Sequence, residues 1–188
     1  MKNKTNQVIE AALKVFLKKG YKESTTAEIA NEAQVAEVTL FRKFQNKQNL
    51  FNSVFQPLVS HQFNSKIFKL AELENTEEFL KALIDNRLDK ISKNRNIFLM
   101  LLAESIMGNL EAEVDLPQIL IQDLKKALVS HFALKSNKVD LDGLTRMLAG
   151  IFISNLVWNQ DQSYHSLDTE AKENIVELYY QSLLPFIG

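Results

Sequence analysis

Hydroxyl, carboxylate and cationic side chains crowd one stretch near the start of this 188-residue chain. Thr25, Thr26, Glu37, Thr39, Arg42, Lys43 and Lys47 fall within it, interleaved with Ala36, Val38 and Phe41. Thr25-x-x-Glu28 has the form of a capping box, in which the hydroxyl accepts one orphan helix N–H and the carboxylate another. Cations on such a stretch can meet phosphates, and short side chains at a helix N-terminus can meet base edges. Covalent chemistry has no counterpart here. There is no phosphate loop, nucleophile elbow or cysteine, and His61, His131 and His165 lie too far apart for a ligand spacing. Neither an enzyme, a cofactor nor a metal site is expected. The lack of cysteine excludes disulfides and suits a reducing cytoplasm.

Three short helices must position these groups. Ile9, Ala12, Leu13, Phe16 and Leu17 follow a helical period, and Gly20 stops that helix. Thr25 opens a second helix, with Ile29, Ala30 and Ala33 as its apolar face. A break at Gln34-Val35 leads to a third, through Leu40 and Phe44. Asn46 is placed to cap a fourth, carrying Leu50, Phe51, Val54 and Phe55. A tight turn before a short helix with a polar front half is what a helix-turn-helix requires, although short helices also occur in any all-α protein. Charge separates the readings. Residues 1–50 carry a net +4 and the remainder −5, within an overall −1. A basic head can approach phosphates while an acidic body stays clear of them.

The remainder is helical in period. Pro57 should kink or divide the fourth helix. Asn75-x-x-Glu78 is a second capping box, opening a helix through Ile91. Very apolar residues follow from Ile97 to about Leu110, and Pro117 fits a first helical position. After a polar link at 135–140, helices are expected over Leu141–Asn159 and Thr169–Phe186. No β alternation occurs, and nine or ten helices are expected. No apolar run reaches the length of a membrane span, and the polar start does not resemble a secretory signal. The expected fold is all-α, with a head at 1–50 on a larger helical body at 51–188.

Read in order, Val8 to Phe16, Gly20-Tyr21, Thr25, Glu28-Ile29-Ala30, Val35, Thr39-Leu40-Phe41, Phe44 and Lys47 resemble the N-terminal pattern of the TetR family of repressors. The resemblance covers roughly residues 6–54. It implies a DNA-binding transcription regulator, a ligand-responsive repressor acting as a homodimer on a palindromic operator. It implies that Thr25 and Thr26 lie near a phosphate. Ala36, Glu37, Val38 and Thr39 lie nearest the base edges, Phe41 along the backbone, and Lys47 at a phosphate with Arg42 and Lys43 beside it. Four positions depart from the pattern. Phe41 replaces a Tyr and loses its hydroxyl. Gln34 replaces a turn Gly and must pay for any positive φ. Ala36 replaces a capping Ser. Glu37 brings a carboxylate that can read a cytosine amino group or favour the helix N-terminus.

The same resemblance implies an inducer pocket in the body, for a small and lipophilic molecule. Candidate lining residues are His61, Phe63, Phe98, Met100, Glu104 and Met107, though Met and Phe at helical spacing are also ordinary core. Glu104 sits in an apolar run and needs a partner, either a side chain or a cationic ligand. The last two helices are expected to form the dimer interface through Met147, Gly150, Ile151, Trp158, Leu178, Tyr179 and Leu183. A helical partner- or lipid-binding module would fit the C-terminal half alone. The charged N-terminal motif favours the regulator.

Overall fold

The computed structural model describes residues 4–112, 114–133, 135, 138–158 and 162–188, and of residues 60–65 only the backbone. The described residues form nine α-helices and no strand. They are α1 (Lys4–Glu23), α2 (Thr26–Glu32), α3 (Glu37–Phe44), α4 (Lys47–Ala71), α5 (Thr76–Lys93), α6 (Arg95–Ile106), α7 (Leu116–Phe132), α8 (Leu141–Val157) and α9 (Thr169–Leu183). Short 3-10 turns occur at Tyr164–Ser166 and Leu184–Phe186. The all-α expectation holds. The chain forms two compact units, Met1–Gln62 with Met100–Leu116, and Phe63–Leu99 with Pro117–Gly188.

The first unit packs α1 on α2 and α2 on α3. α1 buries Val8, Ala11, Ala12 and Phe16, whereas Leu17 is exposed and Ile9 and Leu13 are half-buried. The buried stripe keeps Ala12 and Phe16 of the expected face and adds Val8 and Ala11 in place of Ile9, Leu13 and Leu17. Gly20, at φ 78° and ψ 175°, breaks the helical geometry near the end of α1. Behind it Phe16, Tyr21, Phe51 and Phe55 cluster. Phe16 meets Phe51 edge-on at 5.0 Å between centroids, and Tyr21 meets Phe51 at 4.8 Å. Asn46 caps α4 as expected, accepting the Asn49 N–H at 2.7 Å. Of the kink or division expected at Pro57, the division does not occur: α4 runs as one helix through it. Leu50, Phe51, Val54, Phe55 and Val59 are buried on both sides of the proline, and that packing offsets its missing hydrogen bond.

α6 ends earlier than its apolar run, at Ile106. Gly108 adopts φ 70°, its N–H donates to Ser105 O at 2.9 Å, and the Asn109 N–H donates to Glu104 O at 3.0 Å. This is the Schellman pattern that closes a helix.

In the second unit α5 packs against α8 and α9. α5 buries Phe79, Leu80, Leu83, Ile84, Leu88 and Ile91, and Asn75 caps it by accepting the Glu78 N–H at 3.0 Å. α8 buries Leu144, Leu148, Ile151, Phe152 and Leu156. Two charges share this core: Arg87 is fully buried and Asp123 nearly so. Burial pulls the Arg87 guanidinium down to about 9, opposed by the nearby Asp123 carboxylate, and burial raises Asp123. Arg87 still carries its charge at neutral pH. The expected last helix stops at Leu183 and tightens into a 3-10 turn around Pro185.

Candidate nucleic-acid interface

The sequence Thr25-Thr26-Ala27-Glu28 starts α2 as its chemistry dictates. Thr25 Oγ1 accepts the Glu28 N–H at 3.2 Å, and Glu28 Oε2 accepts the Thr25 N–H at 3.2 Å. Gln34 takes a left-handed backbone at φ 54°, so the turn does require positive φ. A residue with a Cβ adopts it at about 1 kcal/mol. The Val35 N–H donates to Ala30 O at 3.0 Å and closes the turn. α3 then begins after Ala36, which supplies no side-chain cap. Glu37 compensates in part, because an acidic first-turn side chain faces the positive end of the helix dipole. The Thr26 hydroxyl donates to Glu37 Oε1 at 2.7 Å and fixes that carboxylate.

α3 buries Leu40 and Phe44 and turns Val38, Phe41, Arg42 and Lys43 outward. Val38 is 72% exposed. Thr39 and Glu37 are half-buried beside it. A short helix held at its back by apolar residues, with apolar and cationic groups outward, has the build to enter a major groove.

The cations are placed differently from one another. Arg42 is exposed at the C-terminal end of α3. Lys43 donates to the Thr5 hydroxyl. Lys47 does not reach outward. Its ammonium donates to the backbone carbonyls of Tyr21 at 2.9 Å, Ser24 at 2.9 Å and Lys22 at 3.2 Å, and it lies 4.5 Å from the Tyr21 ring centroid. All three of its N–H groups are therefore occupied by the turn that runs from the last residues of α1, after Gly20, to Ser24. The family resemblance implies a phosphate contact for Lys47; in the free chain its ammonium clamps that turn.

The expected pocket residues are scattered. The side chains of His61 and Phe63 lie outside the described residues. Phe98 is buried in the second unit and Met100 is half-buried in the first. Met107 is 71% exposed, just beyond the end of α6. Glu104 is buried, and its partners lie within its own unit: Oε1 accepts the Tyr21 N–H at 2.8 Å and Oε2 accepts an Asn109 side-chain N–H at 2.8 Å. A cleft of about 690 Å³ in the second unit is lined by Lys81, Asp85, Lys172, Val176 and Glu177, among others, and by none of the six. Among the described residues no group of His, Asp and Glu could hold a metal ion. No helix there is long and apolar enough to cross a membrane.

Of the expected dimer residues, Met147, Gly150, Trp158 and Leu178 are exposed on or beside α8 and α9. Ile151 and Leu183 are buried in the second unit. Tyr179 is half-buried, its hydroxyl accepting from Asn155 Nδ2 at 2.8 Å. Sequence reasoning missed the Thr26–Glu37 bond and the Lys47 clamp, since both join residues that only the tertiary fold brings together.

Residues 8–54 match the family of bacterial regulatory proteins of the tetR type. The uncharacterised helix-turn-helix-type transcriptional regulator YvkB of Bacillus subtilis is 32% identical over 96 residues, which cover 43% of this chain and 51% of that protein. The fatty acid metabolism regulator protein of Bacillus subtilis is 26% identical over 114 residues, covering 61% of this chain and 59% of its own length. The chain thus matches between half and three fifths of these two relatives. The crystal structure of FadR from Bacillus subtilis in complex with stearoyl-CoA has the same fold. It superposes with a TM-score of 0.70 at 23% identity, covering 93% of this chain and 97% of that one.

Proposed function

We propose, from the match of residues 8–54 to the tetR family of bacterial regulatory proteins, that the chain binds a palindromic DNA operator as a homodimer and represses transcription until a ligand releases it. The observation that carries this reading is α3, with Val38, Phe41, Arg42 and Lys43 outward over a buried Leu40 and Phe44. Val38 suits a thymine methyl group, and Thr39 and Glu37 can reach base edges. Thr25 and Thr26 sit at the start of α2, where a helix N-terminus favours a phosphate. Dimerisation through the exposed face of α8 and α9, with Trp158 73% and Leu178 67% exposed, would put two heads on a two-fold axis. A ligand that binds one head spacing better than another shifts the population off successive grooves. The inducer is a lipophilic small molecule. The similarity to a fatty acid metabolism regulator makes fatty-acyl compounds the first to screen, by thermal shift. The protein works in the cytoplasm, where its DNA is.

The test is binding to the DNA upstream of its own gene, with a scrambled duplex of equal length as control, over a range of salt. Specific binding that weakens linearly in log K against log salt is expected. Absence of a specific shift at any salt would overturn the reading.

A further inference from the structure

We propose that Glu104 is a positioning residue for DNA binding, its carboxylate fixing the Gly20–Tyr21 turn from which the helix-turn-helix departs. The inference rests on the DNA-binding reading above and adds a residue outside the head's own sequence.

Glu104 occupies an unfavourable place for a carboxylate. It lies in the last turn of α6, where backbone carbonyls concentrate negative potential, and it is 7% exposed. A group retained there needs strong partners. The Schellman close of α6 supplies the first. It sets Asn109 at the position that usually makes an apolar contact with the residue at Glu104's place. Here the contact is polar: Asn109 Nδ2 donates to Glu104 Oε2 at 2.8 Å, while its backbone N–H donates to Glu104 O at 3.0 Å. One oxygen is thereby anchored and the other aimed.

The aimed oxygen, Oε1, accepts the Tyr21 N–H at 2.8 Å. The approach is possible only because residue 20 has no side chain. A Cβ on Gly20 would fall 2.3 Å from Oε1. Gly20 also holds φ 78° and ψ 175°, a region closed to other residues without strain. From the chain's other groups, Lys47 holds the carbonyls of the same turn at Tyr21, Lys22 and Ser24. The turn is therefore gripped by an anion on its N–H and a cation on its carbonyls. Thr25, the cap of α2, follows at once, so the grip sets where α2, and α3 packed on it, leave α1.

The experiment compares wild type, Glu104→Gln, Glu104→Ala and Leu148→Ala. The last truncates the core of the other unit and serves as a destabilised control. The probe is a duplex selected by the wild-type protein from a randomised pool, titrated at several salt concentrations. Amide exchange at Tyr21 is followed alongside. Glu104→Ala is expected to lose at least about tenfold in affinity, since a charge-assisted hydrogen bond no longer selects the binding conformation. Its salt slope should not change, because no phosphate contact is removed. Exchange at Tyr21 should accelerate. Glu104→Gln keeps an acceptor oxygen, and Asn109 can turn its amide to meet the new one, so most of the affinity should return. Leu148→Ala should keep wild-type affinity despite a comparable fall in Tm. Wild-type affinity in Glu104→Ala overturns the proposal, as does an equal loss in Leu148→Ala. Should Glu104→Ala not fold, the Gln variant decides: a full loss of affinity with normal Tyr21 exchange counts against it. A wild-type protein that selects no duplex at all overturns the functional reading first, and this one with it.

Discussion

Replacing Gly20 by alanine tests the turn in a way that separates its two physical components. The backbone there, at φ 78° and ψ 175°, is one an L-residue occupies only under strain, about 1–3 kcal/mol. The new methyl group would also sit 2.3 Å from Glu104 Oε1, well inside contact distance. The carboxylate must withdraw, and the hydrogen bond to the Tyr21 N–H at 2.8 Å is lost with it. A hydrogen bond to a charged group is worth about 1.5–3 kcal/mol. Together these give a destabilisation of about 2.5–6 kcal/mol, at the severe end for a single substitution. Urea denaturation of wild type, Gly20→Ala, Glu104→Ala and the double variant measures it as a cycle. In the Glu104→Ala background only the backbone strain remains, so Gly20→Ala should cost about 1–3 kcal/mol there. The two changes should thus couple by about 1.5–3 kcal/mol. Additivity within about 0.5 kcal/mol would refute the claim that residue 20 is glycine on account of Glu104.

Other consequences are separable. Arg42→Ala, which removes one phosphate contact from each head of the proposed dimer, should flatten the salt dependence of DNA binding by about 1.8 in slope, while Lys47→Ala lowers Tm and leaves the slope unchanged; the opposite pattern would restore Lys47 to a phosphate. His131 is held below its ordinary pKa by burial against Phe79, 4.1 Å away, opposed by its hydrogen bond to Ala71 O and aided by nearby Lys135. Stability should therefore be full above about pH 6.5 and fall as pH drops from there towards the lowered folded value, as the unfolded chain takes up the proton first. Urea midpoints across that window should slope in wild type and flatten in His131→Gln. Leu178→Glu, at a 67% exposed position on α9, should leave the fold intact and convert a sedimenting dimer to monomer; an unchanged sedimentation coefficient would remove α9 from the interface.

The helices were legible because the chain carries its own punctuation. Thr25, Asn46, Asn75 and Gly20 each act where their chemistry places them, and Gln34 takes the positive φ inferred from the glycine it replaces. What was illegible depends on contacts between distant residues. The buried face of α1 takes Val8 and Ala11 beside Ala12 and Phe16 and leaves Leu17 exposed, and packing against α2, not side-chain size alone, decides which residues it includes. Pro57 leaves α4 whole because buried neighbours on both sides outweigh one hydrogen bond. Glu104 is expected to need a partner, either a side chain or a cationic ligand, and the sequence does not choose between them. Its Tyr21 partner lies 83 residues away, and only Asn109, just past Gly108, is a local sign that the carboxylate has a partner within the chain.

Counting charge also misplaced the cations. The head's +4 treats every lysine as available, yet Lys19 pairs with Glu28 and Lys14 lies 3.4 Å from Glu32, both at the surface. Such exposed pairs are worth little and yield readily to a phosphate. Lys47 is different. Its three carbonyl partners and the Tyr21 ring surround the ammonium, and leaving them would strand carbonyls at 2.9, 2.9 and 3.2 Å. A phosphate would have to compete with those partners for the Lys47 ammonium. Under the proposed function, the cations free to meet a phosphate are those at the far end of α3, where Arg42 is exposed and Lys43 donates to the Thr5 hydroxyl. Affinity should accordingly track the α3 cations, while Lys47 and Glu104 govern whether α3 is presented at the angle that lets them reach.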